Sequence, residues 1–251
     1  MIETNSILES PSNPNSLVWR YMDVSKLVAL LQDKALYFAR ADSFEDPFEG
    51  SLPRRIREEY ERNAVAGTGL GSLTKEELLK SWVDTHRHLL QQVYISCWHM
   101  SEHESAALWS IYGKSNDAIC IQTTYAKLAV LLPSQVQAGL VTYIDYDIGT
   151  FRIINNLYSP FIHKRMSFEH DKEVRALILP SFMNFPPNLP AGAQFADGGV
   201  KVPVDLAALI NHIFVSPTSK PWFERMIKSL VQTYGITASV TQSSLARAPL
   251  W

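Results

Sequence analysis

The segment LVWRYM, starting at Leu17, alternates in strand fashion and puts Arg20 and Met22 on the face opposite Trp19 and Tyr21. Asp23 is placed to cap a short helix whose Val24, Leu27, Val28 and Leu31 form one stripe, and ALYFARA then reads as a second strand. In SFEDPFEG, Asp46-Pro47 and Gly50 stop regular structure and leave Glu45, Asp46 and Glu49 in an ordered loop. Residues 54–66 are charged and helical in pattern, and TGLGS, around Gly69 and Gly71, reads as a hinge. Thr74 and Glu77 form a capping box for a helix with Leu78, Trp82 and Leu89. The strand QVYISCW follows, and Ser101 with Glu104 reads as a second capping box, opening a helix through Trp109 and Tyr112.

AICIQTT and LVTYIDY have strand character, 152–169 reads as helix broken at Pro160, and KEVRALIL is a strand ended by Pro180. From Ser181 to Gly199, with Pro186, Pro187 and Pro190, the expectation is a long loop. The strand IFVS, a helix with Trp222, Phe223, Met226, Ile227, Leu230 and Val231 on one side, a stop at Gly235 and the strand ITASVT close the chain. Such a β-α-β unit joins parallel strands, usually with a right-handed crossover. The pattern predicts a disordered leader over 1–16 and a single α+β domain over 17–251, with a mixed central sheet flanked by helices.

Composition narrows the function classes without choosing among them. The 251 residues carry 23 Lys+Arg against 25 Asp+Glu, so the net charge of -2 supplies no global field for a polyanion. At 46% hydrophobic residues the chain has enough apolar content for a core. No run approaches the ~20 apolar residues of a membrane span, and the N-terminus lacks a basic, then apolar, export signal, so no membrane partner is expected. Cys97 and Cys120 both sit in apolar strand-like segments and read as free thiols, which points to a bacterial-type cytoplasmic protein.

Several constellations carry candidate chemistry. Glu173 and Arg175 share a strand face about 7 Å apart, the spacing of a carboxylate held beside a cation or of a plain ion pair. Glu45, Asp46 and Glu49, with Glu173, Lys164 and Arg165, have the residue types of a Mg²⁺-dependent nuclease. The alternative is a structural loop neutralised by Arg40, Arg54 or Arg55. Cys97, His99 and His103 have zinc-binding types but lack a fourth ligand, so no metal is expected. Trp98, Trp109, Tyr112, Tyr143 and Tyr146 either pack a core or, with Arg20 and Arg165, stack a purine or nicotinamide and pair its phosphates. Thr218, Ser219, Lys220 and Pro221 open the last helix with free N–H groups that suit a phosphate or an ordinary cap.

The blocks WRYMD, LYFARADSFEDPFEG, SCWHMSEHESAALWSIYG, VTYIDY, KRMSFEHDKEVRAL and IFVSP together resemble domain-of-unknown-function family 2971, a bacterial family, from Leu17 to Pro217. A second resemblance, of layout, is to ADP-ribosyltransferases. In those enzymes a strand bearing Arg or His, a Leu-Tyr strand and a late strand starting at Glu bind NAD and oppose the charge that develops at its anomeric carbon. By that resemblance Arg20 and Tyr37 place NAD and Glu173 is catalytic, with Asp171 two positions before it. Tyr21, Trp98, Trp109, Tyr112, Lys164, Arg165 and Arg175 are then the candidate ligand contacts. The reading carries NAD as cofactor, a nucleotide or small molecule as ligand, and a protein or nucleic acid as acceptor. A non-catalytic nucleotide- or partner-binding module of a bacterial stress or defence system is the alternative, and a metal-dependent nuclease is third.

Overall fold

The computed structural model describes residues 7–65, 74–112, 117–153, 156–180, 187 and 189–249. In chain order the elements are β1 (Leu17–Asp23), α1 (Val24–Asp33), β2 (Ala35–Arg40), α2 (Arg54–Val65), α3 (Lys75–Leu90), β3 (Tyr94–Met100) and α4 (Ala106–Tyr112). They continue with β4 (Ala118–Thr124), α5 (Tyr125–Leu131), β5 (Val136–Leu140), β6 (Thr142–Ile144), β7 (His163–Arg165) and β8 (Glu173–Ile178). The last are β9 (Gln194–Ala196), β10 (Gly199–Pro203), α6 (Leu206–Leu209), β11 (His212–Val215), α7 (Pro221–Thr233) and β12 (Ser239–Gln242). The α+β class with a mixed sheet is as the pattern predicts.

Among the described residues ten strands join one sheet, along the order β12-β11-β4-β1-β3-β2-β10-β9, with β8 and β5 added beyond β3. β3 organises it. One edge of β3 pairs with β8 over its length, from Tyr94↔Ile178 to His99↔Glu173. The other edge is shared: β1 pairs only through Trp19↔His99 and Val18↔Met100, and β2 only through Ala39↔Ile95 and Arg40↔Tyr94. Both run antiparallel to β3, so they compete for the same edge and diverge between these short contacts, leaving residues 96–98 unpaired there. The sheet forks into a β1-β4-β11-β12 arm and a β2-β10-β9 arm.

Strand alternation sends even-numbered side chains of β1, β2, β3 and β8 to one face. There Val18, Met22, Phe38, Trp98 and Val174 meet Leu27 and Leu31 of α1, Leu128 of α5, Leu209 of α6, and Phe223 and Ile227 of α7 in the main core. The opposite face carries two smaller clusters. One holds Leu89, Ile95, Phe161 and Leu177, and the other packs Trp19, Tyr21 and Cys120 under Leu108 and Trp109 of α4. α1 forms as its residues dictate: Asp23 accepts from Lys26 N at 2.8 Å, and Leu27 and Leu31 are fully buried.

Five expectations are corrected. Residues 7–16 are docked: Leu8 is buried in the second cluster, and Glu9 O accepts from Leu140 N at 2.7 Å. Residues 156–169 are not a helix but 3-10 turns around β7, because Pro160 and buried Phe161, Ile162 and His163 follow one another with no helical stripe. Within 181–199 a short strand, β9, forms a hairpin with β10 through Asp197-Gly198. VQAGL forms β5, so LVTYIDY holds only the end of that strand and the short β6. Ser101 and Glu104 do not make a capping box: Ser105 Oγ accepts from Leu108 N, while Glu104 turns to Trp109 and Ser244. The Thr74–Glu77 box is present, and β11 and β12 pair in parallel around α7. The hinge at Gly69 and Gly71 and the side chains of Leu78 and Trp82 lie outside the described residues.

Candidate functional site

Arg20 occupies the fork. Its Nη1 donates to Ser96 Oγ on β3 at 2.9 Å and its Nη2 to the Tyr37 carbonyl on β2 at 2.9 Å. Strand carbonyls point along the sheet, so a guanidinium bonded to one lies in the gap rather than over either face. It also stands 5.7 Å from the centre of the Trp98 ring. Its partners are neutral, and no carboxylate pairs with it among the described residues. Burial correspondingly lowers its pKa, partly offset by Cys97 and Tyr112. Of the five N–H donors on a guanidinium, two are used by partners among the described residues. Trp98 Nε1, buried next to this cation, has no hydrogen-bond partner among the described residues.

Glu173 sits in different surroundings. On β8 it lines up with His99, and Arg175 with Cys97, on the face opposite the one from which the Arg20 side chain leaves β1. Arg175 is fully buried and donates from Nε to Glu173 Oε1 at 2.7 Å, and from Nη1 and Nη2 to the two oxygens of Glu49 at 2.5 and 2.8 Å. Lys164 Nζ reaches Asp171 Oδ2 at 2.6 Å and Glu173 Oε2 at 3.1 Å. The Glu173 side chain is 5% exposed. Burial pushes its carboxyl pKa up, but Arg175 and Lys164 outweigh burial and bring it to about 2. Burial lowers and Glu173 raises the pKa of Lys164, which ends above its ordinary value. Arg165 completes the assembly with a bidentate bond to Asp46, its guanidinium between the rings of Phe48 and Phe168 at 4.3 and 5.3 Å.

The structure therefore assigns the acidic loop its neutralising partners. They are Arg165 and Arg175, not Arg40, Arg54 or Arg55; Arg40 pairs with Asp42 and Arg54 with Glu58. The loop closes at Gly50, whose φ of +68° and close approach to Leu90 and Phe161 leave no room for a Cβ. His99 Nδ1 lies 2.6 Å from the Asp171 carbonyl, and among the described residues no group of three or more His, Cys, Asp or Glu is placed to hold a metal.

The expected common pocket for Arg20, Tyr37 and Glu173 does not form. Tyr37 touches Arg20 through its backbone carbonyl, while its ring turns to Gly199 at the start of β10 and its hydroxyl donates to Asp197 O in the preceding turn at 2.8 Å. Lys164, Arg165 and Arg175 are engaged by acids rather than open to a ligand. Trp98 is in the main core, and Trp109 is buried with Nε1 donating to Glu104 at 2.9 Å. Tyr21 is buried and its hydroxyl accepts from Ser105 N at 2.8 Å. Tyr112 differs: it is 43% exposed, and its hydroxyl lies within electrostatic range of Cys97, Asp171, Arg20 and Glu173. Sequence reasoning missed Ser96, which had no signal beyond its place in a strand. It had Glu49 but not its pairing, because Glu49 and Arg175 are 126 residues apart.

No protein-family model matches this chain, and a search of curated proteins returned no match.

Proposed function

We propose that this chain is a non-catalytic binding module that takes a small anionic, phosphate-bearing ligand at the sheet fork, with Arg20 as the anion-binding group. The observation that carries this reading is a partly buried guanidinium with neutral partners and unused N–H donors. A guanidinium held this way has lost hydration without gaining a counter-ion, so an incoming anion recovers Coulomb energy in a low-dielectric gap. Among the described residues Arg175, Lys164 and Arg165 each have a carboxylate partner, whereas Arg20 has none.

The ADP-ribosyltransferase reading keeps one supporting observation, since β1, β2 and β8 belong to one sheet, each beside β3. Its chemistry is less well supported. A carboxylate flanked by Arg175 and Lys164 presents little net negative field to an oxocarbenium-like centre.

Calorimetric titration of the full chain with inorganic pyrophosphate, ADP and NAD tests the proposal. Saturable binding is expected, weakened at least about tenfold in Arg20→Met, the scale of one charge-assisted hydrogen bond, and partly kept in Arg20→Lys. Melting temperatures of both variants separate lost binding from lost folding. Absence of saturable binding by the wild type, or equal binding by a folded Arg20→Met, overturns the proposal. Release of nicotinamide from NAD that vanishes in Glu173→Gln would instead replace it with the transferase.

A further inference from the structure

The direction of the main chain in β3 determines what else faces the fork. Met100 N donates to Lys172 O at 2.9 Å, so the even-numbered residues of β3 turn their N–H and C=O groups to β8. Ser101 N donates to Leu17 O at 3.2 Å and Ala41 N to Val93 O at 2.9 Å, so the odd-numbered residues turn theirs to the edge that β1 and β2 share. Along that edge His99 pairs with Trp19 and Ile95 with Ala39, and Cys97, between them, belongs to neither register. Continued by two residues, the β2 register would bring Tyr37 opposite Cys97, yet the Tyr37 carbonyl accepts from Arg20 Nη2 at 2.9 Å instead. The guanidinium is thereby held beside the N–H and C=O of Cys97, which have no ladder partner among the described residues. A further group joins them. Ser96 is 1% exposed, its Oγ accepts from Arg20 Nη1 at 2.9 Å, and its own proton goes to no acceptor among the described residues.

We infer that the fork binds an oxyanion that still carries a proton, hydrogen phosphate rather than sulfate, with Ser96 and the main chain of Cys97 as its further contacts. This rests on the reading of Arg20 as the anion-binding group, and it adds the class of anion, which that reading leaves open. Arg20, the Cys97 N–H and the Ser96 hydroxyl donate to bare oxygens, whereas the Cys97 C=O can only accept. In an extended residue the N–H and C=O lie side by side, so one bare oxygen and one P–OH of the same anion can meet both, as a partner strand would. Sulfate has the same shape but no proton at neutral pH. It sets a bare oxygen against the carbonyl, and a site left with an unmatched polar group discriminates against that ligand.

The experiment titrates wild type, Ser96→Ala and Arg20→Met with orthophosphate, sulfate and pyrophosphate at neutral pH and constant ionic strength, and records each melting temperature. Amide NMR spectra follow the Cys97 N–H in parallel. The expected result is that wild type binds orthophosphate at least about tenfold more tightly than sulfate, and that Ser96→Ala weakens orthophosphate by at least about tenfold. Orthophosphate is also expected to shift the Cys97 amide signal in wild type and not in Arg20→Met. Sulfate binding equal to or tighter than orthophosphate, a Cys97 signal unmoved by bound orthophosphate, or equal orthophosphate binding by folded Ser96→Ala overturns the inference and leaves the Arg20 site standing. Pyrophosphate binding without orthophosphate binding does the same. The first two readouts use wild type and decide the matter even if Ser96→Ala does not fold. Failure of all three anions to bind wild type removes the Arg20 reading itself, and the inference with it.

Discussion

Arg175 shows how one buried side chain sets the character of its neighbours. It joins Glu49, Glu173 and the Phe161 carbonyl, tying the acidic loop to β8 and to the turn before β7. Removing it leaves Glu49 and Glu173 buried with too little positive charge, so Arg175→Met is expected to destabilise by about 3–5 kcal/mol. For a chain of this size that lowers the melting temperature on the order of 10 °C, which calorimetry reads directly. Glu173→Gln belongs to the same scale: it removes the charge that Arg175 and Lys164 face, so a clear loss of stability with unchanged pyrophosphate affinity is expected. Unchanged stability would contradict the network. The sequence placed Glu173 and Arg175 on one strand face because alternation is local. It could not place Glu49 on the other side of Arg175, since that contact exists only when the loop after β2 folds back onto β8.

At the scale of elements, local signals and tertiary context divide cleanly. α1, the Thr74–Glu77 box and the β11-α7-β12 unit follow from caps and periodicity carried by consecutive residues. The N-terminal segment was misread for the opposite reason: Ile7 and Leu8 are two apolar residues in a polar stretch, too few for a pattern. Leu8 nonetheless fills a hole in the second cluster, and Glu9 passes so close to β5 that a Cβ at Gly139 would lie 2.5 Å from its carbonyl oxygen. Leu8→Ala is therefore expected to cost about 2–5 kcal/mol, measured by denaturant unfolding, whereas a disordered leader would show no change. The turns around β7 escaped the reading because their shape comes from side-chain bonds. His163 Nδ1 lies 2.8 Å from Ser159 O, and its Nε2 accepts from Arg152 N at 3.0 Å.

For the whole molecule these histidines set the acid limb of stability. Burial lowers the pKa of both His99 and His163, so the unfolded chain takes up protons first as pH falls through ~6.5. Their contribution is present above that pH and is lost below it, at up to ~1.4 kcal/mol per pH unit for each proton. Glu173, lowered to about 2, contributes above its unfolded pKa and loses that contribution only as pH falls from ~4.5 towards 2. Unfolding free energy is expected to drop between pH 7 and 5, with a shallower drop in His163→Gln; a flat profile would contradict this.

The strands β1 to β4, β8, β11 and β12, the capped helices α1 and α3 and the α+β class follow from the order of residues alone, because alternation, capping and helical stripes are written within a few positions of one another. The fork was decided by the tertiary structure. β1 and β2 both need the same edge of β3, and neither strand's own residues reveal that competition. The same non-local pairing placed the Arg20 guanidinium in the gap and enclosed Glu173 between two cations, which separated two residues that the sequence had grouped in one site.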